Sequence, residues 1–382
     1  MQENPDHSEF RRSVRSWALQ TLSPALSRLD RDHPLDLEGW RDLHKTTLDS
    51  GPADELPRDE SGRPDWIAFG ILLEEVARLS TPVAMHLVNR LAVCEIILPL
   101  LAADQRSYYA DYLDGHSSLA GGFTEAGAGS DPGQMRTTAE RQGENWVIDG
   151  SKLWVTGASL ADMLLVSCRT REQGQPDGFG LFLVESSRGW KATDIPMLGL
   201  NMHPVCEIAF DNVIVPAIAR VGGDGNALGN LQVILAMGRC TMAAMSVGIG
   251  QGALDATLAY VTEREQFGRK IGSLQLVQEM VVDMATDVQC GRLLMRQALH
   301  RVMAGSGPVR LETSMAKMYC TEMCVRVTSL AIQAHGAMGL ARETGIERMF
   351  RDARMMTIPD GTTQIQKLIV GRELTGLNAL RG

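Results

Sequence analysis

Between about Leu119 and Val221 the chain leaves a helical rhythm for short runs of β-branched and aromatic residues, and it returns to the helical rhythm afterwards. Apolar side chains every 3.6 residues bury one face of a helix, whereas alternation buries one face of a strand. The two breaks in rhythm divide the chain into an N-terminal helical domain (1–115), a β domain (116–225) and a C-terminal helical domain (226–382). In the first part Ser8–Gln20, Trp40–Leu48, Asp65–Leu79, Met85–Leu101 and Asp104–Leu113 read as helices, separated at Gly51-Pro52 and Gly62-Arg-Pro64. In the second, Trp146–Trp154 reads as a hairpin turning at Asp149-Gly150. Met163–Ser167, Phe179–Val184 and Glu207–Phe210 read as further strands. In the third, Leu231–Arg264, Leu274–Ala304, Leu311–His335 and a stretch from Gln364 read as an antiparallel four-helix bundle. The fold class is mainly α, with a small β-barrel or sandwich in the middle.

The helix expected from Leu231 is crowded with small residues: Ala236, Gly238, Ala243, Ala244, Gly248, Gly250 and Gly252. Glycine lowers intrinsic helix stability, so close tertiary or subunit packing must compensate. At −9 net charge and a pI near 5.5 the surface is wrong for nucleic acid, which needs clustered Lys and Arg. Residues 1–17 lack the apolar core of a signal peptide, and the uncharged run between Arg239 and Asp255 is too short to cross a bilayer. The expectation is a cytoplasmic protein without membrane partners. Its seven cysteines show no paired or metal-ligand spacing, so no metal site is expected.

The segment Met356-Thr-Ile-Pro-Asp-Gly-Thr-Thr-Gln-Ile-Gln366 carries the most chemistry. Pro359 disfavours helix at Ile358, Gly361 permits a tight turn, and Thr363 with Gln366 reads as a capping box for the last helix. Asp360 therefore stands on a corner beside helix amides, as either a general base near an anionic cofactor or a solvated turn residue. In Phe123–Asp131, two glycines and a serine can line a concavity for an anionic or carbonyl group, or form a plain loop. Trp154 fills either the β core or a ligand's face. Arg264, Gln266 and Phe267 form either a solvated cap or a pyrophosphate contact. Gln333 and Gly336 lie on a helix surface or against a cofactor.

Five segments in register resemble the acyl-CoA dehydrogenase family, from about residue 70 to the end. Phe123-Thr-Glu-Ala-Gly-Ala-Gly-Ser-Asp131 resembles the family's first signature, and Lys152-Leu-Trp-Val-Thr-Gly157 its flavin-contacting strand. Arg264-Glu-Gln-Phe-Gly268 with Gln275 resembles the segment that reaches a neighbouring subunit's FAD. Gln333-Ala-His-Gly336 and Arg351-Asp352 resemble the helix and turn before the catalytic loop, and Asp360-Gly-Thr-Thr-Gln364 stands where the family usually has Glu-Gly-Thr. The resemblance implies FAD held by Phe123, Thr124, Trp154, Thr156, Arg264, Gln266, Phe267, Gln275, Gln333, Gly336, Thr362 and Gln364. It also implies a thioester bound by Ser130, Arg239 and Gly361. Its partners would be an acyl-CoA or acyl-carrier-protein thioester, an electron-transfer flavoprotein as acceptor, and a second copy in a homodimer or homotetramer.

The implied reaction is α,β-dehydrogenation, with Asp360 taking the α-proton while the β-hydride passes to flavin N5. An α-proton is too weakly acidic for an unaided carboxylate, so the enolate needs hydrogen bonds from the site. Asp reaches roughly 1.5 Å less than Glu. Some relatives carry the base on the helix near Leu231, where Gly238 stands here, so no second carboxylate replaces Asp360. Pro359 replaces a frequent aromatic, and Gly51-Pro-Ala-Asp-Glu-Leu-Pro57 replaces the usual Pro-Glu-x-x-Gly-Gly run. The same fold also hosts other readings: enoyl-thioester reduction, flavin-dependent oxygenation, or a non-catalytic flavin-binding partner.

Overall fold

A computed structural model describes residues 5–29, 31–45, 51–53, 55–58, 62–113, 117–222, 227–305 and 309–379. Helix α1 (Pro5–Trp17) runs through a π turn at Ala18–Leu22 into α2 (Ser23–Leu26). Asp36 caps α3 (Leu37–Leu43) by accepting from the Gly39 N–H, and residues 46–50 of the expected Trp40–Leu48 helix lie outside the described residues. Asp65 caps α4 (Trp66–Ala77) through the N–H groups of Ile67 and Ala68. α5 (Thr81–Leu87) begins ahead of the expected Met85, because Pro82 suits a first helical turn. A π turn, α6 (Val93–Ile97) and α7 (Ala103–Tyr108) follow.

The β region is an eight-stranded sheet of β1 (Leu119–Gly122), β2 (Thr138–Gln142), β3 (Asn145–Thr156), β4 (Met163–Arg171), β5 (Gly178–Glu185), β6 (Lys191–Asp194), β7 (Val205–Pro216) and β8 (Arg220–Val221). The order is β6-β7-β3-β2-β4-β5-β8, with β1 parallel to β4. Strand β4 is buried on both faces. Leu164, Val166 and Cys168 join Trp146, Ile148, Phe182 and Val215 on one side. Met163 and Leu165 join Ile97, Tyr109 and Leu231 on the other, which fixes the sheet to the helices.

The expected hairpin at Asp149-Gly150 is not there. Trp146–Trp154 lies within the single strand β3, and the chain reverses between β2 and β3, where Gln142 pairs with Asn145. Gly150 sits in a register shift against β7 with φ +135°. A Cβ there would stand 2.8 Å from Thr137 Cα, so its glycine serves a bulge.

The last part contains α8 (Ala227–Glu263), a small hairpin of β9 (Glu265–Gln266) and β10 (Arg269–Lys270), α9 (Gln275–Ala304), α10 (Arg310–His335), α11 (Ile346–Met356) and α12 (Thr363–Thr375). Helix α8 is long and apolar enough to cross a membrane, unlike the short run read from the sequence, but 78% of its apolar window is buried inside the protein. Its glycines explain why. A Cβ on Gly248 would lie 2.3 Å from the Glu74 carbonyl oxygen, and one on Gly252 would lie 2.4 Å from that of Arg78. Helix α4 thus packs backbone to backbone on α8, the close tertiary packing that the small residues required. Arg351-Asp352, expected in a turn, lies inside α11, where the Asp352 carboxylate accepts from the Leu200 N–H at 2.7 Å.

Candidate active site

Two of the signature segments are locked together by a buried ion pair. Lys152 points into the sheet and donates to Glu125 Oε1 at 2.7 Å, while Glu125 also accepts from the N–H groups of Arg136 and Thr137. Burial pushes the Glu125 pKa up, but these donors outweigh it and the net shift is downward. The Leu153 N–H donates to the Thr124 carbonyl at 2.8 Å, so the Phe123–Asp131 loop and β3 form one surface. Phe123 itself folds back over Gly121, where a Cβ would stand 2.7 Å from its ring.

Trp154 does not fill the β core. It occupies a left-handed position (φ +62°) at a second bulge in β3 and leaves 51% of its surface exposed, while Lys152 and Val155 turn inward. The hydroxyls of Thr124 and Thr156 on either side have no partner among the described residues. A flat apolar plate flanked by free donors suits a heteroaromatic ring with polar edges. Ser130 is exposed at the end of the same loop.

Asp360 stands on the expected corner, between α11 and α12, with two consecutive left-handed residues: Asp360 at φ +54° and Gly361 at +95°. Its carboxylate lies against α8 at Gly238, where a Cβ would be 2.7 Å from Oδ2. The carboxylate accepts no hydrogen bond among the described residues, and the N–H groups of Asp360 and Gly361 are likewise unused. Two cations approach the corner but bond to its backbone: Arg239 Nε lies 3.5 Å from the Asp360 carbonyl, and Lys317 Nζ reaches the carbonyls of Thr357 and Gly361. Burial raises the Asp360 pKa, with Lys317 and then Arg239 acting against it.

The cap of α12 sits one residue earlier than expected. Thr362 is the N-cap and accepts from the Ile365 N–H at 3.3 Å, whereas the Thr363 hydroxyl donates to Glu322. Gln366 closes no capping box; its amide donates to the carbonyls of Asp360 (2.8 Å) and Gly361 (3.0 Å). Gln364 is exposed. Neither Lys317 nor the pairing of Glu125 with Lys152 was expected from the sequence, and Gln366 was expected as a cap rather than as a donor to the Asp360 corner. Only the Gln366 position carried a signal, as the mate of Thr363.

The remaining candidates gather elsewhere. Arg264 follows α8 directly, and Phe267 tips the β9–β10 turn at φ +52° with 90% of its surface exposed. Val261, Ile271 and Ala334 form a small core under this hairpin, and Tyr260 stacks on His335 at 4.4 Å. This groups Arg264, Gln266, Phe267 and Gln275 with Gln333 and Gly336. A Cβ on Gly336 would meet nothing within 4 Å among the described residues; its φ of +60° with ψ −138° is what needs glycine. Arg264 lies 25 residues beyond Arg239 on α8, about 37 Å at 1.5 Å per residue. One chain's hairpin is remote from its own Asp360.

Known proteins share this fold. The middle-domain model of acyl-CoA dehydrogenases matches residues 120–213, and the C-terminal-domain model matches 228–375. Cyclohex-1-ene-1-carbonyl-CoA dehydrogenase of Geobacter metallireducens is 36% identical over 94% of this chain and 96% of its own length. The caffeyl-CoA reductase-Etf complex subunit CarC of Acetobacterium woodii is 33% identical over 83% of this chain and 84% of its own. The crystal structure of glutaryl-CoA dehydrogenase from Mycobacterium smegmatis superposes with a TM-score of 0.88 at 26% identity, covering 99% of this chain and 97% of that one. The chain belongs to the acyl-CoA dehydrogenase family of flavoprotein oxidoreductases, with FAD as cofactor.

Proposed function

We propose that the protein removes two hydrogens from the α and β carbons of an acyl thioester, with Asp360 as the base for the α-proton. The observation that carries this reading is the Asp360 carboxylate, half-buried, unbonded and fixed on a left-handed corner. A carboxylate saturated by ion pairs would be a weak base. Here the cations hold the backbone and leave both oxygens free to accept a proton. The unused N–H groups of Asp360 and Gly361 suit a thioester oxygen, whose negative charge grows as the proton leaves.

FAD, when bound, supplies the two-electron acceptor for the β-hydride. Trp154, Thr124 and Thr156 fit its ring by their exposed plate and free hydroxyls, and Phe123, Thr362 and Gln364 would hold the rest of the cofactor. Ser130 and Arg239 would orient the thioester. The hairpin's distance from Asp360 favours Arg264, Gln266, Phe267, Gln275, Gln333 and Gly336 serving a second protomer's cofactor. The working unit would then be a homodimer or homotetramer, and electrons would leave to an electron-transfer flavoprotein.

A second reading, enoyl-thioester reduction, is favoured by the caffeyl-CoA reductase relative. Anaerobic mixing with butyryl-CoA, glutaryl-CoA and cyclohex-1-ene-1-carbonyl-CoA tests both. Dehydrogenation bleaches the oxidised flavin. Reduction instead restores flavin colour when enzyme reduced beforehand meets an enoyl-CoA. The cyclohexene substrate has no hydrogen on the carbon bearing its carbonyl, so bleaching by that compound alone would overturn α-proton abstraction.

A further inference from the structure

Helix α10 carries a lysine at its centre that the proposed chemistry does not use. Lys317 has no exposed surface, and its ammonium donates to the carbonyls of Thr357 (3.0 Å) and Gly361 (2.8 Å), on either flank of Asp360. Among the described residues no carboxylate forms an ion pair with it. A buried ammonium without such a partner is costly, and a methionine would fill similar space, so packing alone does not explain the charge. The groups facing it are Asp360 on the loop, Arg239 on α8, and Glu322 and Cys324 on α10. Glu322 is engaged by the Thr363 hydroxyl, and burial pushes the Cys324 thiol up to about 12, which keeps it neutral.

We propose that Lys317 is a positioning residue for the base. By gripping both flanks of the corner it keeps the Asp360 carboxylate over Gly238, and its positive charge favours the ionised carboxylate against the pull of burial. The consequence for catalysis rests on the reading of Asp360 given above; the physical coupling does not.

Burial pushes Lys317 down to about 8, with Asp360 opposing that fall and Arg239 adding to it. Two titrating groups act on each other reciprocally. Removing the charge of Asp360 must therefore lower Lys317 further, and removing that of Lys317 must raise Asp360.

The chain has six lysines, at 45, 152, 191, 270, 317 and 367, few enough to follow individually by NMR of holoenzyme labelled with [13Cε]-lysine. The Lys317 signal is the one missing from Lys317→Arg. It is expected to titrate near pH 8 in the wild type and lower by on the order of one unit in Asp360→Asn. A Lys317 signal that titrates with the exposed lysines, or that Asp360→Asn leaves unmoved, overturns the proposal. In Lys317→Met the acid limb of the flavin-reduction rate is expected to rise by about one pH unit. Lys317→Arg should restore it. A Lys317→Met enzyme slower at every pH with an unmoved limb has lost packing only, and the proposal fails. Should Lys317→Met not fold, the comparison of wild type with Asp360→Asn still decides. If Asp360→Asn shifts the Lys317 signal yet still bleaches flavin, the coupling stands and the base lies elsewhere.

Discussion

The Asp360 carboxylate occupies the space that a side chain at Gly238 would fill: a Cβ there would stand 2.7 Å from Oδ2 and 2.9 Å from Cγ. The absent side chain on α8 and the short acid on the loop are thus complementary. The acid is seated against the helix backbone.

Gly238→Ala is expected to push the carboxylate off this seat with little effect on the fold, since alanine favours helix over glycine. A displacement of about 1 Å costs on the order of a hundredfold in rate. Stopped-flow flavin reduction with unchanged FAD content would show it, and a wild-type rate would mean the seat is irrelevant.

Burial lifts the Asp360 pKa above its ordinary 3.8, more than Lys317 and Arg239 depress it. The native state therefore holds this proton more tightly than the unfolded chain, and stability falls as pH rises from 3.8 through the native value. Asp360→Asn should raise the thermal midpoint at pH 7, with no gain below pH 3.8. Calorimetry at the two pH values checks the sign.

Lys152→Met leaves Glu125 buried and unpaired beneath the Thr124 loop. Breaking such a pair from one side costs about 3–5 kcal/mol, and the same variant is expected to lose FAD. Because Glu125 is held below its ordinary 4.5, the stability it contributes is present above that value and disappears as pH falls through its native pKa. Denaturant melts and flavin absorbance of the purified variant report both effects. The double variant with Glu125→Leu should recover part of the stability.

Arg264→Ala is expected to weaken FAD retention by removing the cation proposed to pair with the FAD pyrophosphate. If the hairpin serves a second protomer, FAD release from the parent enzyme should increase on dilution, in step with dissociation of the oligomer. Sedimentation monitored at flavin absorbance follows both. Retention independent of concentration would assign the hairpin to its own chain.

The alternation of helical and strand rhythm was legible because burial imposes its period on the residues themselves. Motif residues were legible where they cluster along the chain, as at Phe123–Asp131 and the Asp360 corner. Asp149-Gly150 misled because a type I′ turn and a bulge both accept glycine with positive φ, and only the neighbouring backbone at Thr137 separates them. The cap moved from Thr363 to Thr362 because adjacent threonines offer the same hydroxyl one residue apart. Lys317 was invisible for another reason. In sequence it is an ordinary helix lysine, and its burial is created by a loop forty residues later. The same holds for Lys152, whose partner Glu125 lies 27 residues before it.

The central claim is most directly tested by anaerobic rapid mixing of Asp360→Asn holoenzyme with whichever acyl-CoA bleaches the parent. The expected result is thioester binding, seen as a perturbed flavin spectrum, with bleaching slowed at least a hundredfold. Bleaching at the parent's rate would contradict the account, because the proton would then be leaving to some other group.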